Sequence, residues 1–305
     1  MTIEQEKAWK KLLQTKYVYH YTSFETIFAL LYGYHLNGDN LLFHASNIYK
    51  VNDPNEMIVG FDMIKEILIN IEEVKQVAVE KKLSEVYNDE EYVSKCKEDY
   101  LYGKGLNETN NGIIPYIISF TKHGDYLPMW SLYGAQGKGV CLKMDTSVLI
   151  DSDLANSFHN VHYDKGSLVL IEQDVSLMYD LYLRQHTDEN TLSIETKIFE
   201  LATIYLAVAP YFKHKDYKYE AEYRMVYNKC YSLPHKIIER PCIDAKTKIE
   251  PFVNIAIPIN ALKGILIGPD ANYDVMSHIL SLELKDCGIN PHIIKRSHIN
   301  YKQNK

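Results

Sequence analysis

Glu220 and Glu222 stand two residues apart, with Arg224 two further on, in the stretch Asp216-Tyr-Lys-Tyr-Glu-Ala-Glu-Tyr-Arg-Met225. The period-two alternation of 216–227 reads as a strand. It puts Lys218, Glu220, Glu222 and Arg224 on one face, and Tyr217, Tyr219, Ala221, Tyr223 and Met225 on the other. Two carboxylates that close push one pKa up, and a neighbouring guanidinium pulls it back down. Such a face can hold an acid/base pair in defined protonation states. It can equally be a solvated strand face with a cross-paired arginine.

Three further groups carry chemistry. His20 and Tyr21 end a predicted strand just before a helix that starts with Thr22 as cap, has Glu25 three residues on and closes at Gly33. A helix start there presents N–H groups to a phosphate or carboxylate. Asn52-Asp53-Pro54-Asn55-Glu56 has the form of a second helix start, with Asp53 as cap. Ser119 and Thr121 lie on a predicted strand, followed by Asp125, Met129-Trp130 and Tyr133 in a short aromatic helix. Each also has a purely structural reading: a satisfied histidine, a cap, a core tryptophan. Familiar alternatives are missing from the pattern. The 12 histidines form no His-x-x-x-His or His-Glu-x-x-His pair, so no metal is predicted. Cys141, between Val140 and Leu142, reads as a small buried side chain. No Gly-x-Ser-x-Gly elbow occurs, and Gly134-x-x-Gly137-x-Gly139 leads into a strand without the Lys-Ser/Thr of a phosphate loop.

The elements that position these residues belong to a chain of 305 residues, 46% hydrophobic and 24% charged, ordinary for a soluble globular protein. A net charge of −7 argues against a general nucleic-acid or membrane surface. Five scattered cysteines, the absence of a signal-peptide pattern at 1–16 and the absence of a spanning apolar run point to the cytoplasm. The 25 tyrosines fit an AT-rich genome as well as a stacking surface. Strands are predicted at 17–21, 41–45, 116–121, 139–144, 161–163, 252–257, 264–267 and 292–295, with 167–171 as a further candidate. Helices are predicted at 4–14, 125–134, 194–211 and 274–285. Short strands around segregated helices make an α+β fold with a mostly antiparallel sheet. One domain spanning 1–305 is expected, with a charged helical insertion or lid over 54–110.

The motifs in this order resemble the bacterial family catalogued as domain of unknown function 2971: His20-Tyr-Thr-Ser23, Asn52-Asp-Pro, Ser119-Phe-Thr121, Met129-Trp-x-x-Tyr133, Gly139-Val-Cys-Leu142, and Lys213-His214 leading to Glu220-x-Glu222-x-Arg224. Tyr217 stands where that family usually has Trp. More distantly the order is similar to the ADP-ribosyltransferase fold, a split antiparallel sheet, and in particular to DNA-modifying toxins. That resemblance implies an enzyme of NAD chemistry, a transferase or NAD glycohydrolase, with NAD as substrate. It implies Glu222, Glu220 and His20 as catalytic residues. It implies His20, Tyr21, Thr22, Ser119, Thr121, Trp130, Tyr133 and Arg224 as cofactor-binding residues, with Tyr21, Trp130 and Tyr133 competing for the nicotinamide stack. The acceptor stays open between nucleic acid, protein and water, and the setting would be a toxin or phage-defence effector. A metal-dependent nuclease-like hydrolase and a non-catalytic sensor or interaction domain are the alternatives.

Overall fold

The computed structural model describes residues 15–36, 38, 40–48, 51, 53, 57–60, 62–63, 115–151, 158–163, 208–228, 237–241 and 249–300. The predicted helix at 4–14, the strand candidate at 167–171, most of the helical segment 54–110 and most of the helix at 194–211 lie outside these residues.

The described residues make an α+β fold with a mixed, mostly antiparallel open sheet and few helices. The described strands are β1 (Tyr17–Thr22), β2 (Asn40–Asn47), β3 (Pro115–Thr121), β4 (Val140–Asp145), β5 (Phe158–Asn160), β6 (Glu222–Asn228), β7 (Ile237–Pro241), β8 (Ile249–Pro258), β9 (Leu262–Ile267) and β10 (Ile294–Arg296). They run β10-β9-β4-β1-β3-β2-β8-β7, with β6 joined to β3 and β5. Only β9–β10 is parallel among these pairings. Among the described residues the helices are α1 (Phe24–Leu36), α2 (Leu127–Leu132), α3 (Thr146–Asp151) and α4 (Tyr273–Asp286), and residues 57–60 and 62–63 are helical too.

Strand alternation builds the main core. Tyr116, Ile118 and Phe120 of β3 and Tyr223, Met225 and Tyr227 of β6 join Ile27 and Leu31 of α1 and Leu280 and Leu284 of α4 in one buried cluster. The intervening residues of β3 and β6 are thereby turned to the opposite face.

Several predicted elements shift. Ser23, not Thr22, caps α1, its Oγ accepting from Thr26 N at 3.3 Å. Gly33 does not close that helix, which runs on to Leu36; an added Cβ there would lie 3.2 Å from Leu42 Cβ, so glycine permits α1 to approach β2. The strand placed at 161–163 is found at Phe158–Asn160, with His162 making an isolated bridge to Phe212. Pro291–Ile293 is a 3-10 turn, and the last strand starts only at Ile294.

The largest correction concerns 216–221. Lys215–Glu220 is a 3-10 turn, not strand, and Ala221 takes a left-handed conformation with φ 42°. β6 therefore begins at Glu222. Alternation explains the shared face of Glu222 and Arg224 but not the place of Glu220. The Thr121 hydroxyl donates to the Glu220 carbonyl, and Lys122 N donates to Ala221 O at 3.1 Å, which holds the turn against the end of β3.

Candidate active site

A split in the sheet makes the site. β6 pairs with β3 along its whole length, from Pro115↔Asn228 to Thr121↔Glu222. β1 and β2 also pair with β3, but at opposite ends: β1 meets Thr121, and β2 meets Ile117 and Tyr116. Ser119 lies between the two pairings. His20 reaches across from β1, and its Nδ1 sits 2.8 Å from the Ser119 carbonyl oxygen. A carbonyl only accepts, so Nδ1 carries the proton and Nε2 of the neutral ring is an acceptor. Burial pushes the His20 pKa below the ordinary imidazole value, and the Ser119 hydrogen bond opposes that shift. The rings of Phe43 and Phe120 pack against the imidazole, with centroids at 5.4 and 5.7 Å.

The split opens into a cleft of about 300 Å³, lined on the β3 and β6 side by Ile117, Ser119, Thr121, Glu222 and Arg224. Tyr19, His20, Met129, Tyr133, Lys213 and Glu220 complete much of the remaining wall, together with Asp53.

A buried charge network forms its floor. Arg224, 1% exposed, grips Glu222 with Nε to Oε1 at 2.8 Å and Nη2 to Oε2 at 3.0 Å, and its Nη1 donates to the Pro210 carbonyl. Lys213 Nζ donates to Glu220 Oε2 at 2.7 Å and to Glu222 Oε2 at 3.1 Å. The Tyr133 hydroxyl donates to Glu220 Oε1 at 2.7 Å, and Glu222 N donates to the Tyr163 hydroxyl at 2.9 Å. Burial alone raises the Glu222 pKa. The Arg224 and Lys213 cations, with hydrogen bonds from Arg224 and Ser119, outweigh it and bring the carboxyl down to about 2.

This shift has a signed consequence for stability. A carboxylate whose folded pKa lies below its unfolded value stabilises the fold at every pH above the unfolded value. The contribution drains away as pH falls from about 4.5 towards about 2. The urea midpoint of the wild type should drop through this window, and Glu222→Gln should flatten the drop. An equally steep acid dependence in the variant would place the titration elsewhere.

Eight of the expected site residues line the cleft: His20, Tyr21, Ser119, Thr121, Tyr133, Glu220, Glu222 and Arg224. Two expectations are corrected. Thr22 is buried beneath the α2–β4 loop, where its carbonyl would lie 2.1 Å from a Cβ added to Gly139, so only glycine fits there. Trp130 is fully buried and does not line the cleft. Its Nε1 donates to Asp125 Oδ1 at 2.7 Å, and its ring meets Tyr21 edge-on at 4.8 Å. Asp125 also accepts from Ser297 Oγ at 2.7 Å and His298 N at 2.8 Å, tying α2 to the end of the chain. Tyr21 is held through its hydroxyl, which donates to His123 O at 2.9 Å and accepts from Tyr126 N at 3.1 Å. Arg224 faces Glu222, and the two side chains form an internal ion pair.

Sequence reasoning assigned no role to Lys213 or Tyr19, although Lys213-His214 belongs to the quoted motif. Of the Asn52–Glu56 run, Asp53 alone is described; it is buried and lines the cleft. Cys141 is buried as expected, its thiol donating to Gly124 O at 3.3 Å. Among the described residues, no group of three or more His, Cys, Asp or Glu side chains could hold a metal ion. Among them too, no helix is long and apolar enough to cross a membrane.

The segment running from α2 through the carboxylate turn to Arg224 is also the segment with a known likeness. Residues 129–225 match the family model described as Protein of unknown function (DUF2971). The DUF2971 match contains Met129, Tyr133, Lys213, Glu220, Glu222 and Arg224, and supports the family resemblance of the motifs. It leaves His20 and Ser119 outside its bounds. No curated protein and no solved structure matches the chain.

Proposed function

We propose that the cleft binds NAD and cleaves its nicotinamide–ribose bond, passing ADP-ribose to an acceptor in the manner of an ADP-ribosyltransferase. The observation that carries this reading is the meeting of His20, Ser119 and Glu222 at one split in the sheet, with the His20 Nδ1 bound to Ser119 O at 2.8 Å. A first-strand His, a middle-strand Ser and a late-strand Glu are what the family resemblance implies for NAD chemistry.

The chemistry suits the geometry. A cleft of about 300 Å³ is at the small end of ligand sites and matches the nicotinamide-riboside end of the dinucleotide. Its lining brings three carboxyl residues, Asp53, Glu220 and Glu222, against two basic ones, Lys213 and Arg224. When the C–N bond breaks, its electron pair leaves with nicotinamide and positive charge grows on the ribose. A fixed carboxylate facing that charge stabilises the transition state more than the ground state. Glu222 supplies it. The neutral His20 offers Nε2 to a ribose hydroxyl, and Glu220 takes the proton of the acceptor nucleophile. Tyr19, Tyr21, Phe120 and Tyr133 are the aromatic residues lining the cleft from which a flank for the ring can come.

A second reading is favoured by the burial and mutual pairing of Lys213, Glu220, Glu222 and Arg224. There the four side chains are a structural ion network of a sensor or interaction domain. Saturation-transfer NMR with NAD separates the two. Nicotinamide-ring protons should saturate in the presence of the wild-type protein, with or without EDTA. No transfer at millimolar NAD overturns the enzymatic reading, and binding or turnover that needs a divalent ion moves it to a metal-dependent hydrolase.

A further inference from the structure

We infer that Lys213 is a positioning residue of this site, whose ammonium group ties Glu220 and Glu222 together and aims both carboxylates into the cleft. The kinetic part of this inference rests on the NAD reading; the electrostatic part stands on geometry alone.

Lys213 is buried at 7% exposure, and its two carboxylate partners are buried at 3% and 4%. A buried ammonium persists only where partners replace its water. Here they include Glu220 Oε2 and Glu222 Oε2, while the Tyr217 ring lies 4.8 Å from Nζ. The stem is fixed at its root, since Lys213 N donates to His162 O at 3.0 Å. The chain then winds through the Lys215–Glu220 turn and the left-handed Ala221, so lysine and glutamates meet at the two ends of one loop.

The other partners divide between the carboxylates. Arg224 and Ser119 hold Glu222, and Tyr133 and Tyr219 meet Glu220. Lys213 is shared. With its charge removed, two carboxylates face each other across the loop, and Glu220 keeps a neutral phenol against a charged neighbour. Repulsion then turns Glu220 from the position a base must hold. Arg224, Ser119 and Tyr163 face Glu222, Tyr133 and Tyr219 face Glu220, and Asp53 and His20 also line the cleft. Lys213 acts through the carboxylates, so it should affect turnover more than NAD affinity.

The test uses the full chain with Lys213→Met, which keeps the stem and removes the charge, and Lys213→Arg, which keeps the charge. Carbon-13 NMR of glutamate carboxyls, with the Glu222 signal assigned through Glu222→Gln, should show the Glu222 titration moved up by about one to two pH units in Lys213→Met. Lys213→Arg should restore most of the shift. In the same preparations kcat for ADP-ribose transfer should fall at least tenfold in Lys213→Met with KM for NAD within a factor of about three, and Lys213→Arg should recover part of it. An unmoved Glu222 titration overturns the inference. So does a loss carried by KM alone. If Lys213→Met does not fold, Lys213→Arg decides: wild-type titration and partial turnover support the bridge, and no turnover despite a native titration contradicts it. If the wild type releases no nicotinamide, the NAD reading fails and the titration still decides whether Lys213 bridges the pair.

Discussion

Replacing Arg224 with methionine lowers folding stability by about 3–5 kcal/mol, the cost of breaking a buried ion pair from one side. Arg224 is among the largest fully buried side chains, and its guanidinium satisfies both oxygens of Glu222 as well as the Pro210 carbonyl. Methionine fills much of the space but leaves the Glu222 carboxylate with Lys213 as its one neighbouring cation among these contacts. Urea unfolding at neutral pH gives the change directly. The double variant with Glu222→Gln should recover part of the loss, because the unpaired charge is gone. A cost below about 1 kcal/mol would put the pair in the class of solvated surface bridges and contradict its burial.

Glu222→Gln should cut nicotinamide release from NAD by a hundredfold or more. It also lowers stability by breaking the same buried pair, so the rate is read at a temperature where the variant is shown to be folded. Glutamine is nearly isosteric and still offers one oxygen to Arg224, but it carries no charge to oppose the developing ribose cation. Removing such a group costs several kcal/mol of transition-state stabilisation, which is two or more powers of ten in rate. Glu220→Gln should spare hydrolysis to water more than transfer to an acceptor, since Glu220 serves the acceptor's proton. If Glu222→Gln lowers the unfolding midpoint sharply but leaves activity intact, the network is structural and the chemistry lies elsewhere.

Much of the scaffold was legible because hydrophobic pattern is a local property. Tyr116 to Thr121, Val140 to Met144 and Phe252 to Ile257 are short, largely apolar runs, and each forms a strand, in which side chains alternate with period two. The common face of Glu222 and Arg224 follows from the same period. What failed was decided by contacts distant in the chain. Glu220 joins the site through a left-handed Ala221, and that turn is held by Thr121 and Lys122, about a hundred residues earlier. No periodicity encodes it. Trp130 reads equally as a stacking platform or as core, and Asp125 with the chain segment Ser297–His298 decides for core. Lys213 was visible as a residue type but not as a bridge, because its partners are named only once the loop is closed. The meeting of His20 with Ser119 depends on β1 and β2 diverging along one edge of β3, a matter of topology that composition does not carry.

The most direct measurement is free nicotinamide released from NAD by the purified wild-type protein, followed over time beside Glu222→Gln, with single-stranded DNA, RNA, cell lysate or buffer alone as acceptor. A cleft that performs NAD cleavage predicts nicotinamide release by the wild type in at least one of these mixtures, and a rate at least a hundredfold lower in a folded Glu222→Gln. No release above the uncatalysed rate in any mixture, or equal release by both proteins, would contradict it.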